Sequence, residues 1–176
     1  MRARLSVIRK ATPSDSSGIL ECLRAAFEVY RSRYTPGAFV DTVLTADALQ
    51  HRLATMCVLV AVSESGEIVG TIGGHVVDAG LSQKKVSREK VDQEKEGHIR
   101  GVAVLPAWQG SGVAAQLLKS IESELRNQGC SVISLDTTEP LLPAMRFYEK
   151  NGFRKSGKVT NFFDMPLFEY VKLLTE

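Results

Sequence analysis

The chain lacks the features that would place it outside the ordinary globular class. It has three cysteines, Cys22, Cys57 and Cys130. They are far apart, odd in number and form no Cys-x-x-Cys, so neither a disulfide framework nor a zinc site is expected. Cys22 and Cys57 fit reduced thiols in a core, and a cytoplasmic location agrees with that. An excess of one charge is also missing. The net charge is +2, so nothing calls for nucleic acid or an anionic membrane as partner. No apolar run approaches membrane-spanning length, and Met1–Arg9 is too poor in apolar residues for a signal peptide. There is no internal repeat, linker or low-complexity segment. What remains is 176 residues, enough for one domain over 1–176 with a sizeable core.

Taken in order, residues 5–9 read as a strand, followed by capping residues at Thr12-Pro-Ser-Asp15. Ile19, Leu23, Ala26, Phe27 and Tyr30 repeat at helical spacing. Tyr30 to Gly37 breaks that pattern. Residues 38–55 are helical again, in two pieces around Thr45. Residues 57–63 form a strongly apolar strand, Glu64-Ser-Gly-Glu67 a hairpin turn, and residues 68–78 its partner. Gly73-Gly74 inside that partner predicts a bulge or the close approach of another group. Residues 79–96 carry charges of both signs with little apolar content. They read as a solvated excursion between strands, or alternatively as a lid.

The most informative stretch is Gly101-Val-Ala-Val-Leu-Pro-Ala-Trp-Gln-Gly-Ser-Gly-Val-Ala-Ala115. Val102, Val104 and Leu105 are strand formers, and Pro106 ends the ladder. Gln109-Gly-Ser-Gly112 then lets a ligand approach the backbone closely. From Val113 the apolar residues follow helical spacing through Leu117, Leu118, Ile121 and Leu125, and Gly129 supplies a stop. Amides at that helix N-terminus lie at the positive end of the macrodipole, a ready site for phosphate. Ser131 to Asp136 is a further strand. A helix opens between Pro140 and Pro143 and ends at Gly152. Phe153 starts another strand with a turn near Ser156-Gly157. A last strand begins at Asn161–Met165, with its ladder weakened by Pro166.

Gln109-Gly-Ser-Gly-Val-Ala114 resembles the central motif of the GNAT superfamily of acyl-CoA-dependent N-acyltransferases. Ala144-Met-Arg-Phe-Tyr148-Glu-Lys-Asn-Gly152-Phe153 resembles that family's second motif at its usual distance downstream. The resemblance implies an α/β fold (α+β by some schemes): a mixed central sheet of six to seven strands with helices on both faces. The order would be β-α-α-β-β-β-α-β-α-β-β. Two central parallel strands, about 98–105 and 131–136, would splay apart to admit acyl-CoA.

The resemblance also implies site residues. Main-chain amides from Gly110 through Ala114, including those of Ser111, Gly112 and Val113, would hold the pyrophosphate, with Gln109 opening the turn. Main-chain groups of Val102, Ala103 and Val104 would pair with the pantetheine arm, and the amide near Val102 would polarise the thioester. Tyr148 would protonate the departing thiolate; the alternative is a core tyrosine beside Phe147. Leu141 stands where the family often has an asparagine, so a side-chain contact to the cofactor is lost there or replaced by main chain.

Strand alternation places His98, Arg100, Val102 and Val104 on one face. His98 falls near the family's usual base position and could take the proton of the amine; otherwise it is a polar residue at a strand entrance, and Glu96 is the other base. Tyr30 and Tyr34 lie where the family builds one wall of the acceptor site, or are half-buried packing.

The implied function is N-acetyl transfer from acetyl-CoA, without a metal, to the amine of a small molecule or protein, in a monomer or homodimer. Two other readings share the residues. A non-catalytic acyl-CoA sensor would have the same fold. A dinucleotide-binding protein would use Gly110-Ser-Gly-Val-Ala-Ala115 as its fingerprint with Asp136 ending the next strand. Against the latter, Pro106-Ala-Trp-Gln109 separates the glycines from their strand.

Overall fold

The computed structural model describes residues 4–77 and 95–174. The charged stretch expected to be an excursion or a lid lies, but for Lys95 and Glu96, outside the described residues. One seven-stranded sheet runs through the structure: β1 Leu5–Lys10, β2 Cys57–Ser63, β3 Ile68–Val77, β4 Lys95–Val104, β5 Cys130–Thr138, β6 Arg154–Phe162 and β7 Met165–Leu173. Its spatial order is β1-β2-β3-β4-β5-β7-β6. Every pairing is antiparallel except β4 with β5. The helices are α1 Ser16–Phe27, α2 Pro36–Val43, α3 Ala46–Thr55, α4 Val113–Asn127 and α5 Leu142–Lys150.

β2 explains how the layers form. Leu59 and Ala61 join the cluster built on α4, whereas Val58, Val60 and Val62 join the cluster built on α1 and α3. A strand covered on both faces needs an unbroken apolar run, which is what residues 57–63 supply. α4 seats closely because it meets glycine: a Cβ on Gly74 would lie 2.9 Å from Ile121. The adjacent Gly73 lies against the Arg100 carbonyl. The Gly73-Gly74 pair therefore marks close approach.

The region 38–55 is two helices. Leu44 takes φ of 65° at the break, and the Thr45 hydroxyl accepts from the Ala48 amide at 3.2 Å to start α3. Tyr30 lies beyond α1, in a 3-10 segment over Glu28–Arg33.

Three expectations are corrected. No turn occurs at Ser156-Gly157. β6 continues through it, and the β6–β7 register shifts between Lys155 and Val159, with Gly157 at φ 91°. The chain reverses instead at Phe163-Asp164, both at positive φ, as a two-residue hairpin of the I′ kind requires. The Asp164 amide donates to Asn161 Oδ1 at 2.8 Å, which supports the turn. The last strand starts at Met165 rather than at Asn161, which with Phe162 closes β6, and it lies between β5 and β6.

The third correction concerns β4. Between the pairs Thr71–Ala103 and Gly73–Arg100, β4 carries one residue more than β3. This is a β-bulge, with Gly101 at φ 65°. An extra residue reverses the alternation beyond it. Val102 and Val104 consequently join Ile99 in the α4-side cluster, and Ala103 joins the α1-side cluster. His98 and Arg100 therefore do not share a face with Val102 and Val104.

α1 is anchored at its start by Asp15. That carboxylate accepts from Arg9 at 2.7 and 3.0 Å and from the Thr12 amide at 2.7 Å. The Arg9 guanidinium holds the Asp15 carboxyl down at about 2, below its ordinary 3.8. A depressed carboxyl stabilises the fold above its unfolded pKa, and the contribution disappears as pH falls through the folded value. Asp15→Asn is expected to cost about 1–2 kcal/mol at pH 7, discounted because Arg9 is partly exposed. The melting-temperature gap between the two proteins should close as pH falls from 3.8 through about 2. A gap that survives unchanged at pH 2 would assign the loss to packing.

Candidate active site

The parallel ladder between β4 and β5 ends at Ile99–Leu135. Both strands continue, β4 to Val104 and β5 to Thr138. Past the last pair they no longer hydrogen-bond, and a cleft of about 640 Å³ occupies the gap. Its walls come from β4 residues His98 to Val104, β5 residues Leu135 to Thr138, the Gln109–Ala115 turn, α5, and the Phe27–Tyr34 segment.

At one end stands the glycine turn. Gly110 and Gly112 have φ of 77° and 89°, a region that glycine enters without strain. A Cβ on either would meet nothing within 4 Å, so the turn faces open space. The first bond of α4 runs from the Gln116 amide to the Gly112 carbonyl at 3.1 Å. The amides of Val113, Ala114 and Ala115 precede that ladder, as helix-start amides do. Val113's own side chain is buried in the α4-side core. Ser111 is exposed, but its amide and its hydroxyl both donate to the Trp108 carbonyl, so of the amides expected to hold the pyrophosphate this one is already paired. Gln109 ties the turn to β4 by donating from Nε2 to the Val104 carbonyl at 3.1 Å. These open amides, dipole-favoured for anions, fit a diphosphate.

At the other end lies a polar chain across the parallel pair. Ser134 sits opposite His98 in register. His98 Nδ1 is 2.9 Å from Ser134 Oγ, and Ser134 Oγ donates to Glu96 Oε1 at 2.5 Å. The serine hydrogen is spent on Glu96, so Nδ1 carries the imidazole proton and donates to Ser134. Nε2 is then left with its lone pair free, 3.4 Å from Asp136 Oδ2. Burial, aided by Arg100, His75 and Lys158, pushes the His98 imidazole down to about 4. It is neutral, and a base, throughout the neutral range. Burial pushes the Asp136 carboxyl up. His98 and Asp136 line the cleft, whereas Glu96 stands behind Ser134.

Tyr148 lines the cleft from α5. Its ring packs among Phe147, Phe153 and Tyr170. Burial raises its phenol above the ordinary value, so it stays protonated and can donate. Leu141 and Ala144 border the same wall. Tyr30 and Tyr34 line the same cleft. Tyr34 is also core, edge-on to Phe27 and Phe39, and burial pushes its phenol up to about 12.

Ser134, Asp136 and Arg52 are cleft or network residues that sequence spacing did not single out for this chemistry. Ser134 becomes visible only through the β4–β5 register, and Arg52 only through the packing of α3. Among the described residues no set of His, Cys, Asp and Glu is arranged to hold a metal ion, and no helix is long and apolar enough to cross a membrane. The single parallel pair leaves no doubly wound sheet for a dinucleotide.

A model of the acetyltransferase (GNAT) family matches residues 19–153. The chain belongs to the GNAT acetyltransferase family. Among curated relatives, the aminoglycoside N(6')-acetyltransferase type 1 of Stenotrophomonas maltophilia is 29% identical over 170 residues, spanning 95% of this chain and 97% of that protein. Human N-acetyltransferase 8B is 32% identical over 102 residues, spanning 58% of this chain and 40% of that protein. The fold is shared with the PaiA N-acetyltransferase from Thermoplasma acidophilum, solved in complex with coenzyme A. The TM-score is 0.73 at 17% identity, covering 99% of this chain and 100% of that one.

The glycine turn of this GNAT chain yields a binding prediction. Gly112→Asn and Gly112→Asp have the same shape, and both must adopt the positive φ, so their difference isolates charge. The Asp variant is expected to bind coenzyme A about tenfold or more weakly than the Asn variant, since it sets a carboxylate where the diphosphate would sit. Calorimetry giving equal affinities for the two folded variants would move the diphosphate elsewhere.

Proposed function

We propose that this chain transfers the acetyl group of acetyl-CoA to a primary amine of a small molecule or protein, by direct attack of the amine on the thioester. The observation that carries this reading is the gap past Ile99–Leu135, with phosphate-ready amides at one end and a neutral, lone-pair-bearing His98 at the other. Bound acetyl-CoA supplies a thioester, an acyl group already activated toward an amine. The amides of Gly110 and of Gly112 to Ala114 would hold its diphosphate. The backbone of Val102 to Val104, unpaired with β5 although Gln109 holds the Val104 carbonyl, would hold its arm, with Leu141 and Ala144 against it.

The protein's own groups would handle two protons. An ammonium has no lone pair to attack with. His98 Nε2 accepts the proton as the amine arrives, and Nδ1 holds the ring in place through Ser134 and Glu96. Tyr148, kept as a phenol by burial, donates to the sulfur as the C–S bond breaks. A backbone amide at the Gly101 bulge, released from the β3 ladder, is available to a developing oxyanion. Tyr30 and Tyr34 form the acceptor wall. A cytoplasmic setting belongs to this reading, supported by the three free thiols Cys22, Cys57 and Cys130.

Tyr148→Phe is expected to lower kcat by about tenfold or more in a thiol-release assay while leaving the acetyl-CoA Kd nearly unchanged, as loss of a transition-state interaction does. Unchanged kcat, with chemistry limiting, would return Tyr148 to packing alone. A protein that binds acetyl-CoA but releases no thiol with any amine would be a sensor instead.

His98→Ala is expected to lower kcat/KM about 10²-fold at neutral pH. The deficit should shrink as pH rises toward the pKa of the amine, because more acceptor then arrives deprotonated. Because the imidazole titrates near 4, the wild-type profile should show no limb near 6.5 that His98→Ala removes. Parallel profiles of equal height for the two proteins would take His98 out of the reaction.

A further inference from the structure

Two arginines line the acceptor side of the cleft, Arg52 from α3 and Arg100 from β4. An arginine drawn into a protein interior usually brings a carboxylate with it, because a buried unpaired charge is costly; that applies to Arg52, which is half-buried, whereas Arg100 is exposed and reaches the cleft from its rim. Among the described residues neither Arg52 nor Arg100 has a carboxylate within ion-pair distance or a hydrogen-bond acceptor, whereas Arg9 and Arg31 each have both. Arg52 is half-buried and reaches across the sheet face: its Cδ lies near Gly73, and its guanidinium sits against the Gly101 bulge. A side chain on Gly101 would strike that guanidinium, so the bulge glycine also makes room for it. Arg52 is held below its ordinary value by burial and by the charge of Arg100, with Asp41 opposing. Asp41 lines the same cleft without closing on Arg52 as an ion pair.

These cations are not part of the diphosphate site. The open amides follow the C-terminal end of β4, while Arg100 precedes the bulge. Arg100 lies four positions before Val104, at most roughly 13 Å of strand. The pair instead borders the bulge and His98, where the reacting amine would stand.

We propose that Arg52 and Arg100 form an anion clamp for the acceptor, and that the acceptor is an amine bearing a carboxylate or a phosphoryl group. This rests on the acetyl-transfer reading above and names its substrate class. Guanidinium forks bind both oxyanions in bidentate fashion. The clamp would hold the anion beside the bulge and leave the amine to His98 Nε2. It would also disfavour a polycationic acceptor, which would meet two guanidiniums on which neither Asp41 nor Asp136, both in the same cleft, closes as an ion pair.

The test uses matched acceptors with acetyl-CoA in a thiol-release assay. α-Amino acids are set beside their primary amides, 2-aminoethyl phosphate beside ethanolamine, and glucosamine 6-phosphate beside glucosamine, with kanamycin as the polycation. At least one acid is expected to exceed its neutral twin about 10- to 100-fold in kcat/KM, the range of a charge-assisted hydrogen bond. The carboxylate and phosphoryl arms identify which oxyanion it is. Arg52→Gln and Arg100→Gln should each collapse that acid-to-twin ratio, mostly through KM, while Arg52→Lys retains part of it and acetyl-CoA affinity holds in all three. A panel in which no acid exceeds its twin, or in which kanamycin is the best acceptor, overturns the clamp. If neutral amines are still acetylated in that case, acetyl transfer stands without it. If no amine is acetylated although acetyl-CoA binds, both readings fall.

Discussion

The site depends on the parting of β4 and β5. Two parallel strands normally stay paired along their shared length, since each unmade backbone bond between buried strands is costly. Here the ladder stops at Ile99–Leu135 although both strands continue. The bulge at Gly101 accompanies the change: one extra residue bends β4 and increases its local twist. The backbone left unpaired lines a cleft. A ligand arm with amide groups would satisfy those donors and acceptors as an added strand does, and in the reading proposed above the unmade bonds of the fold would become the binding groups of the site.

The same bulge sorts the chemistry. Before it, His98 and Arg100 share a face. After it, Ala103 takes that face, while Val102 and Val104 turn to the α4 core. Without the extra residue, Val104 would lie on the face of His98 and leave the α4-side core it shares with Val113. A single left-handed residue thus lets one strand feed two cores and still present polar groups to the gap. Only glycine meets that φ without strain and without striking Arg52.

Much of this was legible in the sequence. The apolar run of β2, the glycine turn before α4, the capping at Thr12–Asp15 and the two-piece helix over 38–55 each rest on local rules: burial on both faces, left-handed glycines, cap chemistry. What failed was non-local. Gly157 looked like a turn because glycine serves bulges and turns alike; only the β6–β7 register decides between them. Asp164 and Phe163, at the true reversal, carry no glycine to announce it. The placement of His98 with Val102 and Val104 failed because alternation holds only while strands stay in register. Ser134 and Arg52 lay beyond reach for the same reason, since each becomes a site residue only when a partner strand or a packed helix fixes its neighbour.

His98 shows how such non-local contacts set a protonation state. Alone on a strand, an imidazole would be half charged just below neutrality. Here the Ser134 hydroxyl gives its hydrogen to Glu96, which fixes Ser134 as acceptor and the Nδ1 tautomer of His98. Burial and the nearby cations then deny the ring a second proton until about pH 4. Asp136 at 3.4 Å from Nε2 would ordinarily favour that proton, but its own carboxyl is pushed up by burial, and the two groups face each other across a position that a shared proton would fill. An arriving ammonium carries such a proton. His98 on β4 and Asp136 on β5 thus bring two proton acceptors to the cleft, and Arg100 on β4 and Arg52 on α3 bring two guanidiniums; under the clamp proposed above, that arrangement would set the orientation in which an amine acid enters.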